Sequence, residues 1–169
     1  MIKIEQILVP TDFSEPSESA LTYGRALARK FNARLHVLHV VDNSIMYAGI
    51  DGYTFDVARV VAEMVDDAEK HILTCLTDED WREPKTITEV LTGGPAREIA
   101  AYAKEAAIDL IVMGTHGRGF ITGLLMGKVA EAVVRIAPCP VLTVRTPERE
   151  FVRPDAVEEG VRVEATPKS

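Results

Sequence analysis

The chain has 169 residues, 47% of them hydrophobic and 27% charged, with 19 Lys and Arg against 26 Asp and Glu for a net charge of −7. That length suits one domain able to bury roughly 70% of its unfolded surface, so folding needs no disulfide or structural metal, and the composition excludes wholesale disorder. An acidic balance without a basic stripe argues against nucleic acid as a partner, and no run approaches the roughly 20 apolar residues of a membrane span.

The first residues, Met1-Ile2-Lys3-Ile4-Glu5-Gln6, place no apolar run behind a basic start, so no secretory signal is expected. Gln6-Ile7-Leu8-Val9 is apolar on both faces and is expected to stop at Pro10, as a buried parallel strand would. Ser14-Glu15-Pro16 supplies an N-cap and an early proline for a helix carrying Leu21, Gly24, Leu27, Ala28 and Phe31 at helical spacing. Leu35 to Val41 reads as a second buried strand, and Asp42 to Thr54, with Gly49 and Gly52, as a loop long enough for function. Val57, Val60, Val61, Met64, Val65, Ala68, Ile72 and Leu76 line one face of a long second helix. Thr86 to Leu91 alternates like a third strand near a sheet edge, and Gly94-Pro95 opens a third helix with Ile99 and Ala103 inward, ending near Ala107. Leu110 to Met113 is a fourth strand, Leu125 to Ile136 a fourth helix stopped by Pro138-Cys139-Pro140, and Val141 to Val144 a fifth strand. The remainder, 146–169, reads as a largely extended or flexible tail with one candidate extended stretch at Val161-Arg162-Val163.

Strands alternating with helices call for a parallel sheet covered on both faces, with ligands at the carboxyl ends of the strands where their order reverses. The segment Met113-Gly114-Thr115-His116-Gly117-Arg118-Gly119, running on to Gly123 and Gly127-Lys128, leaves a buried strand and enters a helix. Glycines there let backbone approach an anion, and helix-terminal amides favour negative charge. It is not a Walker A loop, since Gly123 lies too close to Gly127 and Val129 follows Lys128. Nor is it the dinucleotide fingerprint, since position 122 is Thr and the strand is not the first. What fits is Gly-x2-Gly-x9-Gly over Gly114, Gly117 and Gly127.

Together with Val9-Pro10-Thr11-Asp12-Phe13-Ser14, His39-Val40-Val41-Asp42, Val112-Met113-Gly114-Thr115-His116-Gly117-Arg118-Gly119 and the run Val129-Ala130-Glu131 to Val144-Arg145, this spacing resembles the universal stress protein family, in its nucleotide-binding branch, over residues 2 to 145. The resemblance implies one domain over residues 1–145: an α/β flavodoxin- or Rossmann-like three-layer sandwich with a five-stranded parallel sheet of order 3-2-1-4-5. It implies a homodimer through the last strand and an adenine nucleotide (ATP, or AMP or ADP), with a divalent metal as an option on the phosphates. By matched position, Asp12 would face the ribose, with Pro10 and Thr11 shaping its pocket. Val40 would meet adenine through its backbone and Met113 would pack on the base. Gly114, His116, Gly117 and Arg118 would follow ribose and phosphates, while Gly127, Lys128 and Val129 would offer amides to the phosphates. One position departs from the family: a Ser or Thr usually follows the third glycine, where this chain has Lys128. A lysine there either supplies a compensating cation or crowds the γ-phosphate and favours AMP or ADP.

Structural alternatives stand beside these roles. Asp12 also suits an N-cap, Gly114 and Gly117 a tight turn, and His116 a solvated loop. His36 and His39 point to opposite strand faces and suit burial with a hydrogen bond; His71 suits the surface. Cys75 and Cys139, the latter far from the former, suit small core positions in a reducing compartment, and the expected location is cytoplasmic. Asp66-Asp67 and Asp78-Glu79-Asp80 suit solvated faces or a cap rather than metal ligands. Three functions follow. The first is a regulatory, stress-responsive nucleotide binder with an unknown protein partner and at most slow hydrolysis, since no side chain is an obvious water-activating base. The second is a dimeric interaction scaffold of the same family without nucleotide. The third is an adenine-nucleotide hydrolase or transferase, disfavoured because the first loop lacks a Ser-Gly-Gly-type motif.

Overall fold

The computed structural model describes residues 2–43, 56–82, 86–115 and 126–145. Five strands, β1 (Gln6–Thr11), β2 (Arg34–Val41), β3 (Thr86–Thr92), β4 (Leu110–Gly114) and β5 (Val141–Val144), form one sheet of order β3-β2-β1-β4-β5. Every pairing is parallel. The helices are α1 (Glu15–Phe31), α2 (Val57–Thr74), α3 (Asp78–Arg82), α4 (Pro95–Glu105) and α5 (Lys128–Ile136).

Alternation along the strands builds two cores, one on each sheet face. Ile7, Val9, Leu35, Val37 and Val112 pack beneath α1 residues Ala20, Leu21, Tyr23 and Ala28 and α2 residue Ile72. Leu8, Leu38, Ile111 and Met113 pack beneath Ile99 and Ala103 of α4 and Ala130 and Val133 of α5. The three-layer α/β sandwich with strand order 3-2-1-4-5 is therefore the observed architecture. Ile7, Leu8 and Val9 are all fully buried, and each such side chain contributes about 1.5–3 kcal/mol of transfer free energy. A Cβ on Gly24 would overlap Val9 Cγ2, so α1 lies on β1 at a separation that glycine permits.

Several boundaries differ from the sequence reading. β1 does not stop at Pro10: it continues through Thr11, with Pro10 opposite Leu38 and Thr11 opposite His39. A short helix, α3, was not expected. Asp80 within it is buried and accepts from the Thr77 N–H at 2.9 Å, the Thr77 hydroxyl at 3.0 Å and Arg25 Nε at 2.8 Å. The acidic run 78–80 thus includes a cap that ties α3 to α1. On α2 the inward stripe is buried only at Ala68 and Ile72, and Met64 is exposed. The loop expected over 42–54 lies outside the described residues from position 44 onward, as do Leu125 and the whole of 146–169.

His36 is buried on β2 between Tyr102 Oη at its Nδ1 and Gln6 Oε1 at its Nε2, both 2.8 Å away. An amide oxygen only accepts, so Nε2 carries the proton, Nδ1 accepts from the tyrosine, and both are satisfied in the neutral ring. Burial, reinforced by nearby Arg34, lowers the pKa of His36 below its ordinary value. The native state therefore holds His36 neutral while the unfolded chain protonates near pH 6.5. This contribution to stability is complete above that pH and is lost as the pH falls below it. Urea midpoints between pH 7.5 and 5 should decline less steeply for His36→Gln than for the parent chain; equal slopes would remove His36 from the account.

Candidate functional site

β1 and β4 are joined by the pairs Ile7↔Leu110 and Leu8↔Ile111. Beyond them β1 keeps its partner β2 as far as Thr11↔His39, while β4 keeps β5 as far as Gly114↔Val144. The two central strands therefore part at their carboxyl ends, at the point where strand order reverses. Two features sit at the parting. Pro10 has no N–H to give a ladder. The start of α1 also presses on the end of β4: a Cβ on Gly114 would stand 2.8 Å from the carbonyl oxygen of Pro16. Gly114 is thus required by packing whatever else it touches.

The parting has an apolar floor on one face. Leu8, Leu38 and Ile111 belong to the α4/α5 core, so Pro10, Val40 and Met113, each two residues further along, lie on that same face of three neighbouring strands. Pro10 and Met113 are buried and Val40 is half-buried. Thr11 lies on the other face, where its hydroxyl accepts from the Phe13 N–H at 3.0 Å and meets Ser17 Oγ at 3.1 Å.

Asp12 stands between them in the β1–α1 connection. It is not the helix cap: Ser14 holds that position. Asp12 Oδ1 accepts from the Ser14 hydroxyl at 2.5 Å and the Ser14 N–H at 3.2 Å. The next residue, Phe13, has φ 63, a left-handed conformation that costs a bulky residue about 1–3 kcal/mol and persists only where its surroundings impose it. Its ring lies between two imidazoles, His39 at 4.4 Å and His71 at 4.3 Å between centroids. His39 Nδ1 lies 2.8 Å from the Thr11 carbonyl oxygen and so donates to it. His39 is accordingly half-buried and hydrogen-bonded, and His71 is exposed as expected but also carries this stack. The stack was not foreseen, because it joins residues remote in sequence through a backbone conformation that no motif announces.

The other wall is the start of α5. Gly127 is its N-cap, and the Gly127 N–H donates to the Thr115 carbonyl oxygen at 2.6 Å, while the Thr115 N–H donates to Val144 at 2.9 Å. This ties the first turn of α5 to the end of β4 and closes the base of the glycine-rich segment. The Gly127 amide is therefore already engaged within the protein. Lys128 and Val129, the first two helical positions, have amides without an intrahelical acceptor, as every helix start does. Both side chains are exposed. His116, Gly117 and Arg118 lie outside the described residues. Among the described residues no group of three or more metal-ligating side chains comes together. Burial raises the pKa of both Cys75 and Cys139, so neither is an activated thiolate.

A doubly wound parallel sheet, parted at its switch point with a glycine-capped helix beside the gap, defines a class of open-sheet α/β proteins, in which the strand ends at that point are where a ligand, if any, is accommodated. Residues 3–145 match the universal stress protein family, and the chain belongs to it. Universal stress protein MJ0531 of Methanocaldococcus jannaschii is 36% identical over 148 residues, covering 86% of this chain and 85% of its own. The structure of universal stress protein UspA from Lactobacillus plantarum superposes with a TM-score of 0.72 at 29% identity, over 86% of this chain and all of the other. A universal stress protein solved in complex with cAMP matches with a TM-score of 0.57 at 21% identity, over 86% of this chain and all of the other, a likeness of fold alone.

The packing role of Gly114 is testable. A methyl there meets a backbone carbonyl that cannot swing aside, so Gly114→Ala should cost about 1–3 kcal/mol in urea unfolding. Gly94→Ala, with nothing within 4 Å of the added carbon, is the comparison and should cost less.

Proposed function

We propose that this chain is a regulatory adenine-nucleotide-binding protein that acts as a homodimer. The observation that carries this reading is the attachment of the first turn of α5 to the end of β4 beside an apolar floor. Adenine would lie against Pro10, Val40 and Met113, with the ribose toward Asp12. The phosphates would meet the amides of Lys128 and Val129 and the glycine-rich segment, including Gly114, His116, Gly117 and Arg118. Thr11 contributes by shaping the turn from the α1 face rather than by lending its hydroxyl, and Gly127 as the cap that sets the helix start. A cation in a helix first turn opposes the helix dipole, so an exposed Lys128 suits a position beside a bound anion. Any divalent cation would be held by phosphate oxygens. That a protein of this fold was solved with cAMP supports the ligand class.

Calorimetric titration with AMP, ADP and ATP tests the reading; no heat at millimolar ligand would end it. Asp12→Asn keeps an oxygen for Ser14 while removing the charge toward ribose, and should weaken binding by about 1–1.5 kcal/mol at unchanged Tm. Lys128→Ser should lower affinity for ATP more than for AMP.

A second reading, a dimeric scaffold without nucleotide, is favoured by the engaged Gly127 amide. It predicts no excess absorbance at 260 nm in freshly purified protein.

The dimer is proposed on the β5 edge of the sheet, next to the exposed Val134 and Ile136 of α5. Sedimentation equilibrium at micromolar concentration should return twice the 18.5 kDa chain mass, and a species of single chain mass would overturn it.

A further inference from the structure

The stack of His39, Phe13 and His71 is assembled from three separate places: the end of β2, the β1–α1 connection and the last turn of α2. Its two imidazoles differ. His39 is half-buried and tied to the Thr11 carbonyl, so it is fixed from the sheet side. His71 is exposed in the last turn of α2, and its ring lies parallel to that of Phe13 within 2°. Phe13 in turn has a left-handed backbone, and its N–H bonds the Thr11 hydroxyl. Asp12 lies between these two residues, with its carboxylate turned onto Ser14. Whatever holds the Phe13 ring therefore holds the backbone that aims Asp12.

We propose that His71 is a positioning residue for the nucleotide site. It is the outer, removable jaw of an aromatic clamp that keeps Phe13 left-handed and thereby fixes Asp12. The part concerning nucleotide rests on the reading above; the clamp itself does not. Stacked aromatic pairs gain from ring geometry beyond the area they bury, and Phe13 here has a ring on each face. Removing the exposed jaw leaves the hydrophobic core intact, because Ile72, not His71, is the residue of that turn buried in it. The clamp also makes the site answer to α2: if its last turn moves away, the connection carrying Asp12 loses one of the rings that, among the described residues, stack on Phe13.

The test compares His71→Ala, which removes the ring, with His71→Phe, which keeps one. Amide hydrogen exchange is read at Phe13 and Ser14, with Ile7 to Val9 as core reporters, and AMP affinity is measured on the same samples. His71→Ala should speed exchange at Phe13 and Ser14 at least tenfold, leave the core amides unchanged and weaken AMP binding three- to tenfold; His71→Phe should restore both. Exchange at Phe13 and Ser14 unchanged in His71→Ala would overturn the clamp. Faster exchange with unchanged AMP affinity would overturn the positioning role. Faster exchange in a chain whose parent takes up no AMP would support the clamp and sink the nucleotide reading instead.

Discussion

The site depends on the early separation of the two central strands. A parallel pair that stayed zipped to its ends would leave no room between β1 and β4, and every strand-end group would be occupied by a ladder. Here pairing ceases after Leu8↔Ile111 while the outer ladders run on, to Thr11↔His39 on one side and Gly114↔Val144 on the other. Pro10 removes a donor at the critical level, and Gly114 lets α1 begin against β4 with no Cβ between them. Two residues that sequence matching assigned to a ligand are thus first of all causes of the gap into which a ligand would fit.

Alternation then divides the work of a short connection. Leu8 and Pro10 face α4 and α5, where Val40 and Met113 continue an apolar surface; Ile7, Val9 and Thr11 face α1. A residue of the β1–α1 turn can therefore serve the ligand side or hold the turn, according to parity. Thr11 holds it, bonding Phe13 and Ser17, and Asp12 sits where parity gives way to the turn, fastened to Ser14. The polar groups of this connection are drawn into a local network, which keeps Asp12 in one place without a ligand to order it.

The sheet was legible in the sequence because its central strands are short apolar runs buried on both faces, its edge strand β3 alternates, and the helices between them place buried positions at helical spacing. Strand order came through the resemblance of several motifs in sequence. What escaped was tertiary. Pro10 reads as a stop, yet its lost donor faces a ladder that has already ended, so β1 continues past it. Asp78-Glu79-Asp80 reads as a solvated face or a cap, and Asp80 is the cap; what the run does not announce is Arg25, from a helix remote in sequence, whose ion pair accompanies its burial. The packing demand on Gly114 comes from Pro16, and the stack at Phe13 from His39 and His71. None of these partners is visible in a periodicity, since each depends on how distant elements meet.

Electrostatics set the remaining condition. A chain of net charge −7 repels a polyanion at long range, and ionic screening over about 8–10 Å confines that repulsion without reversing it. The proposed phosphate subsite must therefore obtain its attraction locally. Among the described residues the local sources are the first amides of α5 and the exposed Lys128, because Gly127 has already given its N–H to Thr115. Backbone amides do not depend on side-chain identity, so under the proposed reading a lysine at position 128, where the family usually has a hydroxyl residue, would leave the helix start able to receive an anion. The lysine adds a mobile charge on a flexible stem, free to follow a phosphate chain of more than one length. In the proposed arrangement the fixed amides would select for an anion at the helix start, and the side chain at position 128 would govern how much the site gains from each additional phosphate.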